Sequence, residues 1–159
     1  MTLLGPGDRF PRLYVHTLDN ADLDLPGSLA GSFAVVLFYR GSWCPYCNAQ
    51  LRAFQRAQDK LTDAGIRIVA LSVDDAPTTA QLAAKLELEF PIGHSADPRE
   101  IAELTGAFVN PDPAYLQSTG FVLDTEGNVV VSVYSSGAIG RLVPEDVLGL
   151  VRYLKEHSN

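Results

Sequence analysis

Two cysteines placed three positions apart are the feature that most constrains this chain. Cys44 and Cys47 enclose Pro45-Tyr46 and are the two cysteines of the 159-residue sequence. An apolar run at 33–39, rich in β-branched and aromatic residues, precedes them and predicts a buried strand. Helical spacing follows, and Pro45 suits a first helical position because proline has no N–H to leave unpaired. The sequence therefore predicts that both thiols lie where a strand passes into a helix.

This position favours ionised, reactive sulfur. The N–H groups of a first helical turn lack intrahelical partners, and the helix dipole places roughly half a positive charge there. Thiols in such settings titrate at about 3.5–7.5 instead of about 8.5. Arg40, four residues before Cys44, adds positive charge if its side chain folds back. We interpret Cys44 and Cys47 as a catalytic pair that forms and reopens a local disulfide.

Two other interpretations of the cysteines stay open. Free cysteines are often buried simply as small apolar side chains. Structural zinc sites usually take four ligands, and the other candidate ligands, His16, His94 and His157, are scattered without ligand spacing. A Cys-x-x-Cys pair between a strand and a helix favours redox chemistry over both, and we predict no metal site.

Length and charge exclude several classes of protein. A chain of 159 residues with 47% apolar residues suits one domain, residues 1–159, with a real core. A net charge of −7 argues against a nucleic-acid partner and against an anionic membrane surface. Residues 1–7 lack the features of a signal peptide, and the apolar run at 33–39 is too short to span a membrane. With two cysteines and no disulfide framework, we expect a cytoplasmic location.

The rest of the chain alternates strands and helices and predicts an α/β fold. We expect a hairpin from 13–15 and 23–25, the strand at 33–39, a helix over 48–64, a strand at 66–73, a helix at 77–88, an extended segment at 90–92, a helix at 98–104, a loop over 106–118, a hairpin from 120–124 and 129–134, a connection at 135–140, and a last helix from Pro144 to about His157.

This order of elements resembles the peroxiredoxin-like branch of the alkyl hydroperoxide reductase/thiol-specific antioxidant superfamily. The same family is resembled by the segment around the cysteines, Phe38-Tyr39-Arg40-Gly41-Ser42-Trp43-Cys44-Pro45-Tyr46-Cys47-Asn48-Ala49-Gln50-Leu51. The segments at 7–11 and 119–127 are also similar to that family. The resemblance implies a thioredoxin-like fold, in which helices flank a central mixed β-sheet that carries an N-terminal β-hairpin. It also implies a thiol oxidoreductase with an antioxidant role.

The family's motif Pro-x-x-x-Thr-x-x-Cys identifies Cys47 as the cysteine that attacks the peroxide. Arg40 then stands at the proline position and Cys44 at the threonine position. The family's distant arginine, three residues before a late-strand phenylalanine, corresponds to Ser118.

Trp43-Cys44 resembles thioredoxins, and Pro45-Tyr46 is the dipeptide found between the cysteines of many glutaredoxins. Thioredoxins place a cis-proline where this chain has Ser118-Thr119. The resemblance therefore implies Arg40, Trp43, Ser118 and Thr119 as candidate substrate-binding residues.

Three functions follow from these residues. In the first, Cys47 reduces a hydroperoxide and Cys44 closes the disulfide. In the second, a thioredoxin-like protein disulfide reductase, Cys44 is the more exposed member and attacks a substrate disulfide. In the third, the pair is a non-catalytic redox sensor in an interaction module. The resemblance implies a thioredoxin- or glutaredoxin-type reductant, no cofactor beyond the dithiol, and a homodimer as one arrangement of the chain.

Overall fold

The computed structural model describes residues 3–157, so the first two residues of the 1–7 segment and the last two of the predicted domain lie outside it. A seven-stranded sheet forms its centre. Its strands are β1 (Leu13–Thr17), β2 (Leu23–Leu25), β3 (Phe33–Phe38), β4 (Ile66–Leu71), β5 (Ile92–His94), β8 (Thr119–Leu123) and β9 (Val129–Tyr134), while β6 (Val109–Pro111) and β7 (Ala114–Leu116) form a separate two-stranded sheet. The helices are α1 (Pro45–Arg56), α2 (Gln58–Asp63), α3 (Ala76–Leu86), α4 (Pro98–Thr105) and α5 (Pro144–Glu156), with a short 3-10 helix at Gly27–Leu29.

The large sheet is mixed, with strand order β2-β1-β5-β4-β3-β8-β9. β4 pairs in parallel with both β3 and β5, and the other pairs are antiparallel. The predicted N-terminal hairpin is present as β1 and β2, and it joins the sheet through β5. The predicted arrangement of a central mixed sheet with flanking helices and an N-terminal hairpin is therefore confirmed.

Apolar side chains cover both faces of the sheet, as expected for β3, where every residue after Phe33 is buried. On one face, Val35 and Leu37 pack with residues of α1 and α5, including Leu51 and Val151. On the other face lies a cluster of interlocking aromatic rings, in which Phe10, Phe38 and Tyr134 each contact Phe121 edge to face. The first of these layers holds α1, and with it the two cysteines, against the sheet.

The helix predicted over 48–64 is wrong as one element, because the chain forms α1 and α2 with a turn at Ala57. Phe54 and Leu61, one on each side of the turn, are both fully buried. Their seven-residue spacing places them on one face of an uninterrupted helix as well. The apolar periodicity therefore runs across the turn and does not reveal it.

The predicted loop over 106–118 is also wrong, because it contains the antiparallel hairpin β6–β7. Each strand has three residues, too few to show alternation, and the two are separated by Asp112-Pro113. The side-chain amide of Asn110 closes the turn by donating to the carbonyl of Pro113 at 2.7 Å. The extended segment expected at 90–92 lies two residues later, as β5.

Strand directions bring three distant segments to one edge of the sheet. β8 runs antiparallel to β3, so Thr119 at the start of β8 pairs with Phe38 at the end of β3. β9 runs antiparallel to β8, so its last residue, Tyr134, also pairs with Thr119. The segment before β8 and the segment after β9 therefore both lie beside the loop that leads from β3 into α1.

Candidate active site

Both cysteines lie at the start of α1, as the sequence predicts. Cys44 is the N-cap residue, and its Sγ accepts the backbone N–H of Cys47 at 3.2 Å. The two residues are joined as a disulfide, with their Cα atoms 5.2 Å apart. Both are completely buried, so the prediction that Cys44 is the more exposed member is wrong for this disulfide form. The side chains of two arginines contribute to this burial.

The side chain of Arg40 folds back over the pair, as expected. Its Nη1 lies 3.8 Å from Sγ of Cys44. Its Nε donates to the side-chain oxygen of Gln117 at 2.9 Å, and its Nη2 donates to the hydroxyl of Tyr115 at 3.1 Å. The guanidinium also lies over the ring of Trp43, 4.9 Å from the centroid, and 5.3 Å from that of Tyr115. These contacts hold the cation next to the sulfur.

A second arginine, Arg141, was missed in the sequence. Its Nη2 lies 3.1 Å from Sγ of Cys47 and 3.7 Å from Sγ of Cys44. Its Nε donates to the carbonyl of Ala138 and its Nη1 to the side-chain oxygen of Gln50, both at 2.7 Å. The amide of Gln50 in turn donates to the backbone of Leu142, the residue that follows Arg141. Arg141 is thus anchored both to α1 and to the connection before α5.

The site carries uncompensated positive charge. Within residues 3–157 the ion pairs are Arg12–Asp24 and His16–Asp22, and neither includes Arg40 or Arg141. Burial, and then the positive charge of Arg40, lower the pKa of Arg141 to about 10. Arg141 therefore keeps its charge at neutral pH, and two guanidinium cations face two sulfurs. A thiolate formed on either cysteine has its counter-charge in place.

The loop between Arg40 and Cys44 is clamped at Ser42. The Ser42 N–H donates to the carboxylate of Asp74 at 2.8 Å, and its carbonyl accepts the side-chain amide of Asn48 at 3.2 Å. Burial raises the pKa of Asp74. The hydrogen bond from the Ser42 N–H opposes this shift, and the charge of Asp75 adds to it. Asp75 caps α3 by accepting the N–H of Thr78.

Ser118 and Thr119 lie beside the site, but their hydrogen bonds run to Ser135 and Gln117 and not to the cysteines. The carbonyl of Ser118 accepts the N–H of Ser135, and the hydroxyl of Thr119 donates to the carbonyl of Gln117. Both residues are buried. Trp43 is 54% exposed and packs against Gly41 and Tyr115. The structure therefore brings Arg40 and Trp43 to the disulfide and adds Arg141, Tyr115 and Gln117.

The described residues, 3–157, show neither a metal-ion cluster nor a membrane-spanning helix. Neither the cysteines nor the three histidines belong to any group of metal-ligating side chains in the described part of the chain that could hold an ion. No helix within these residues is long and apolar enough to cross a membrane.

A local disulfide at a helix N-terminus, at the edge of a mixed sheet and between two guanidinium groups, defines a thiol oxidoreductase. Comparison with known proteins identifies its family. Residues 6–132, well over half of the chain, match the AhpC/TSA family, and the chain belongs to that family. The resemblance inferred from the residues around Cys44 and Cys47 is thereby confirmed, and the protein is a peroxiredoxin-like thiol oxidoreductase.

Relatives agree with this family, and a solved structure agrees with the fold. The chain is 29% identical over 147 residues to a peroxiredoxin of Methanothermobacter thermautotrophicus, covering 89% of this chain and 69% of the relative. It is also 29% identical over 147 residues to a putative peroxiredoxin of Mycobacterium tuberculosis, covering 89% of this chain and 92% of the relative. The fold matches the Mycobacterium tuberculosis AhpC with a TM-score of 0.81 at 22% identity, covering 97% of this chain and 94% of that structure. The predicted thioredoxin-like fold is confirmed.

Proposed function

We propose that the protein reduces hydroperoxides, with Cys47 as the attacking thiolate and Cys44 as the resolving cysteine. One observation supports this order most strongly. Two donors aim at Sγ of Cys47 at short range, Nη2 of Arg141 at 3.1 Å and the backbone N–H of Arg40 at 3.4 Å. Sγ of Cys44 also accepts a backbone N–H, at 3.2 Å, but its guanidinium contacts are longer, at 3.7 and 3.8 Å, so the nearest cation lies at Cys47. Negative charge is therefore better stabilised on Cys47.

The proposed cycle has two protein steps. The Cys47 thiolate attacks the terminal oxygen of the hydroperoxide, the O–O bond breaks, and the leaving alkoxide or hydroxide takes up a proton. Cys47 becomes a sulfenic acid. The Cys44 sulfur then attacks the Cys47 sulfur, the S–O bond breaks, and water leaves as the disulfide forms. This product is the disulfide that the structure shows.

Arg40 and Arg141 replace the family's missing polar groups. Charge develops on the leaving oxygen as the O–O bond breaks, and fixed donors aimed at that oxygen lower the barrier. The family's threonine and arginine positions hold Cys44 and Ser118 here. The guanidinium of Arg40 reaches Sγ of Cys44 from the loop before α1, and that of Arg141 reaches both sulfurs from the connection before α5, so the two supply donors of the required charge.

The remaining partners are also proposals. An external thiol of the thioredoxin or glutaredoxin type reduces the disulfide, and the dithiol is the sole redox group. Two cysteines without a disulfide framework favour a cytoplasmic location, and the net charge of −7 disfavours nucleic-acid and membrane partners. We propose a homodimer as its assembly, and light scattering of the oxidised and reduced protein tests this.

Single serine variants test the order of attack. Ser is a good N-cap residue, so Cys44→Ser keeps the start of α1 intact. We expect Cys44→Ser to consume one equivalent of hydrogen peroxide and to accumulate a Cys47 sulfenic acid, visible by mass spectrometry after trapping. We expect Cys47→Ser to consume peroxide no faster than a small thiol. The reverse pattern assigns peroxide attack to Cys44, and slow oxidation in both favours a disulfide reductase or a redox sensor.

A further inference from the structure

Oxidation changes the charge of the site while leaving its cations in place. In the reduced protein one thiolate offsets one of the two guanidiniums, since a second thiolate beside the first is disfavoured. In the disulfide form both sulfurs are neutral, and neither Arg40 nor Arg141 has a carboxylate partner among the described residues. The oxidised site therefore has the stronger attraction for an anion.

The two cations are also accessible to a ligand. Both arginine side chains are half-buried, whereas the sulfurs behind them are completely covered. Tyr115 and Trp43 flank the guanidinium of Arg40, and more than half of Trp43 is exposed. A small molecule that binds at the guanidiniums stands directly in front of the disulfide.

We propose that the oxidised site also binds a small-molecule thiol that carries a carboxylate, and that this thiol reduces the disulfide directly, as a second route beside the thioredoxin- or glutaredoxin-type reductant. Planar guanidinium groups match the geometry of a carboxylate and bind it through paired N–H donors. Nη1 and Nη2 of Arg40 each carry a second N–H besides the one directed at Cys44 or Tyr115, and these two supply the paired donors, while Arg141 adds a second positive charge. The proposal rests on the proposed function, whose cycle leaves this disulfide to be reduced.

The reduction is a two-step exchange. The thiolate of the small molecule attacks Sγ of Cys44, the Cys44–Cys47 bond breaks, and Cys47 leaves as the thiolate that Arg141 stabilises. A second thiolate of the same kind attacks the outer sulfur of the mixed disulfide and releases Cys44. Two small thiols are oxidised to their disulfide, and the protein gains the two electrons and, on protonation, two protons.

A charge series of small thiols tests this proposal. Protein oxidised with a chemical disulfide-forming reagent is mixed with mercaptopropionate, mercaptoethanol or cysteamine, which carry a negative, neutral or positive group on similar short chains. The fluorescence of Trp43 follows reduction, and each rate is corrected for the thiolate fraction and for intrinsic nucleophilicity. We expect the corrected rates to fall in that order, with about tenfold between the ends at low salt, and to converge at high salt.

Variants assign the effect to the arginines. We expect Arg40→Gln to remove most of the charge preference, Arg40→Lys to keep much of it, and Arg152→Gln, a change on the exposed face of α5, to leave it unchanged. Equal corrected rates for the three thiols, or a preference that survives Arg40→Gln and Arg141→Gln, overturn the proposal. No peroxide is used in this test, so its result does not depend on whether the protein reduces peroxides.

Discussion

Nη2 of Arg141 lies 3.1 Å from Sγ of Cys47, although 94 residues separate them in the sequence. The strand pairing explains this contact. β9 ends at the edge of the sheet where β3 ends, because each pairs antiparallel with β8. The connection after β9 therefore passes in front of the start of α1, and Gln50 anchors Arg141 there.

Removing the Arg141 guanidinium should slow peroxide reduction. Arg141→Gln takes away the nearest charged donor to Cys47, so the thiolate forms less readily and the leaving oxygen loses a stabilising charge. We expect the second-order rate with hydrogen peroxide to fall about tenfold to a hundredfold at neutral pH, near the lower end of effects for a lost oxyanion donor. Stopped-flow fluorescence measures this rate.

The control for that variant is Arg152→Gln, which removes the same charge from an exposed position of α5. It should react at the wild-type rate, because salt screens a solvent-exposed charge. An Arg141→Gln rate equal to that of wild type contradicts a role for Arg141 in peroxide reduction.

Asp74 should make the folded state less stable as the pH rises. Burial raises its pKa, so the folded protein holds this proton more tightly than the unfolded chain. The stabilisation is complete below the ordinary pKa and is lost as the pH rises through the raised value. Asp74→Asn cannot ionise and can still accept the Ser42 N–H. The free energy of unfolding of this variant relative to wild type should therefore increase as the pH rises from below the ordinary pKa of an aspartate through the raised one, as measured by urea denaturation.

Asp75→Asn is the matched variant with the opposite sign. Hydrogen bonds from Thr78 lower the pKa of Asp75, so its stabilising contribution is present above the ordinary pKa and is lost as the pH falls through the lowered one. Asp75→Asn should therefore lose stability relative to wild type at neutral pH and lose less at low pH. The same trend for both variants contradicts the account.

Gly41 should control the placement of Trp43. A Cβ built on Gly41 lies 2.9 Å from Cδ1 of Trp43 and overlaps its Nε1. Gly41→Ala must displace the exposed indole, which loosens its contact with Arg40. We expect a red-shifted emission maximum and a slower peroxide reaction, with little loss of stability.

Gly149→Ala serves as its control, because nothing lies within 4 Å of a Cβ at Gly149 on α5. This change should stabilise the helix by about 0.5–1 kcal/mol and leave the emission unchanged. An unchanged emission maximum in Gly41→Ala shows that Trp43 does not rest on this glycine.

The sequence predicts one half of the site well. A strand, a proline at the helix start and the spacing of Cys44 and Cys47 are local signals, and the backbone follows them. Arg40 is also local, four residues from Cys44. These features depend on neighbouring residues and are readable without the fold.

The other half depends on strand pairing. Arg141 follows a Gly- and Ser-rich connection with no periodicity, so its approach to Cys47 depends on where β9 ends and on the contacts with Gln50 and Ala138. Tyr115 and Gln117 lie in or next to a hairpin too short to show alternation. One signal points to Arg141. It is a basic residue at the end of the connection that follows β9, and β9 ends beside the Cys44–Cys47 motif.

The rate at which the reduced wild-type protein reacts with hydrogen peroxide tests the central claim most directly. Trp43 adjoins Cys44 and contacts Arg40, so its fluorescence reports closure of the disulfide in a stopped-flow experiment. A second-order rate far above that of a small thiolate at the same pH is the predicted result, because two guanidiniums activate the peroxide. A rate no higher than that of the small thiolate contradicts peroxide reduction as the function of this site.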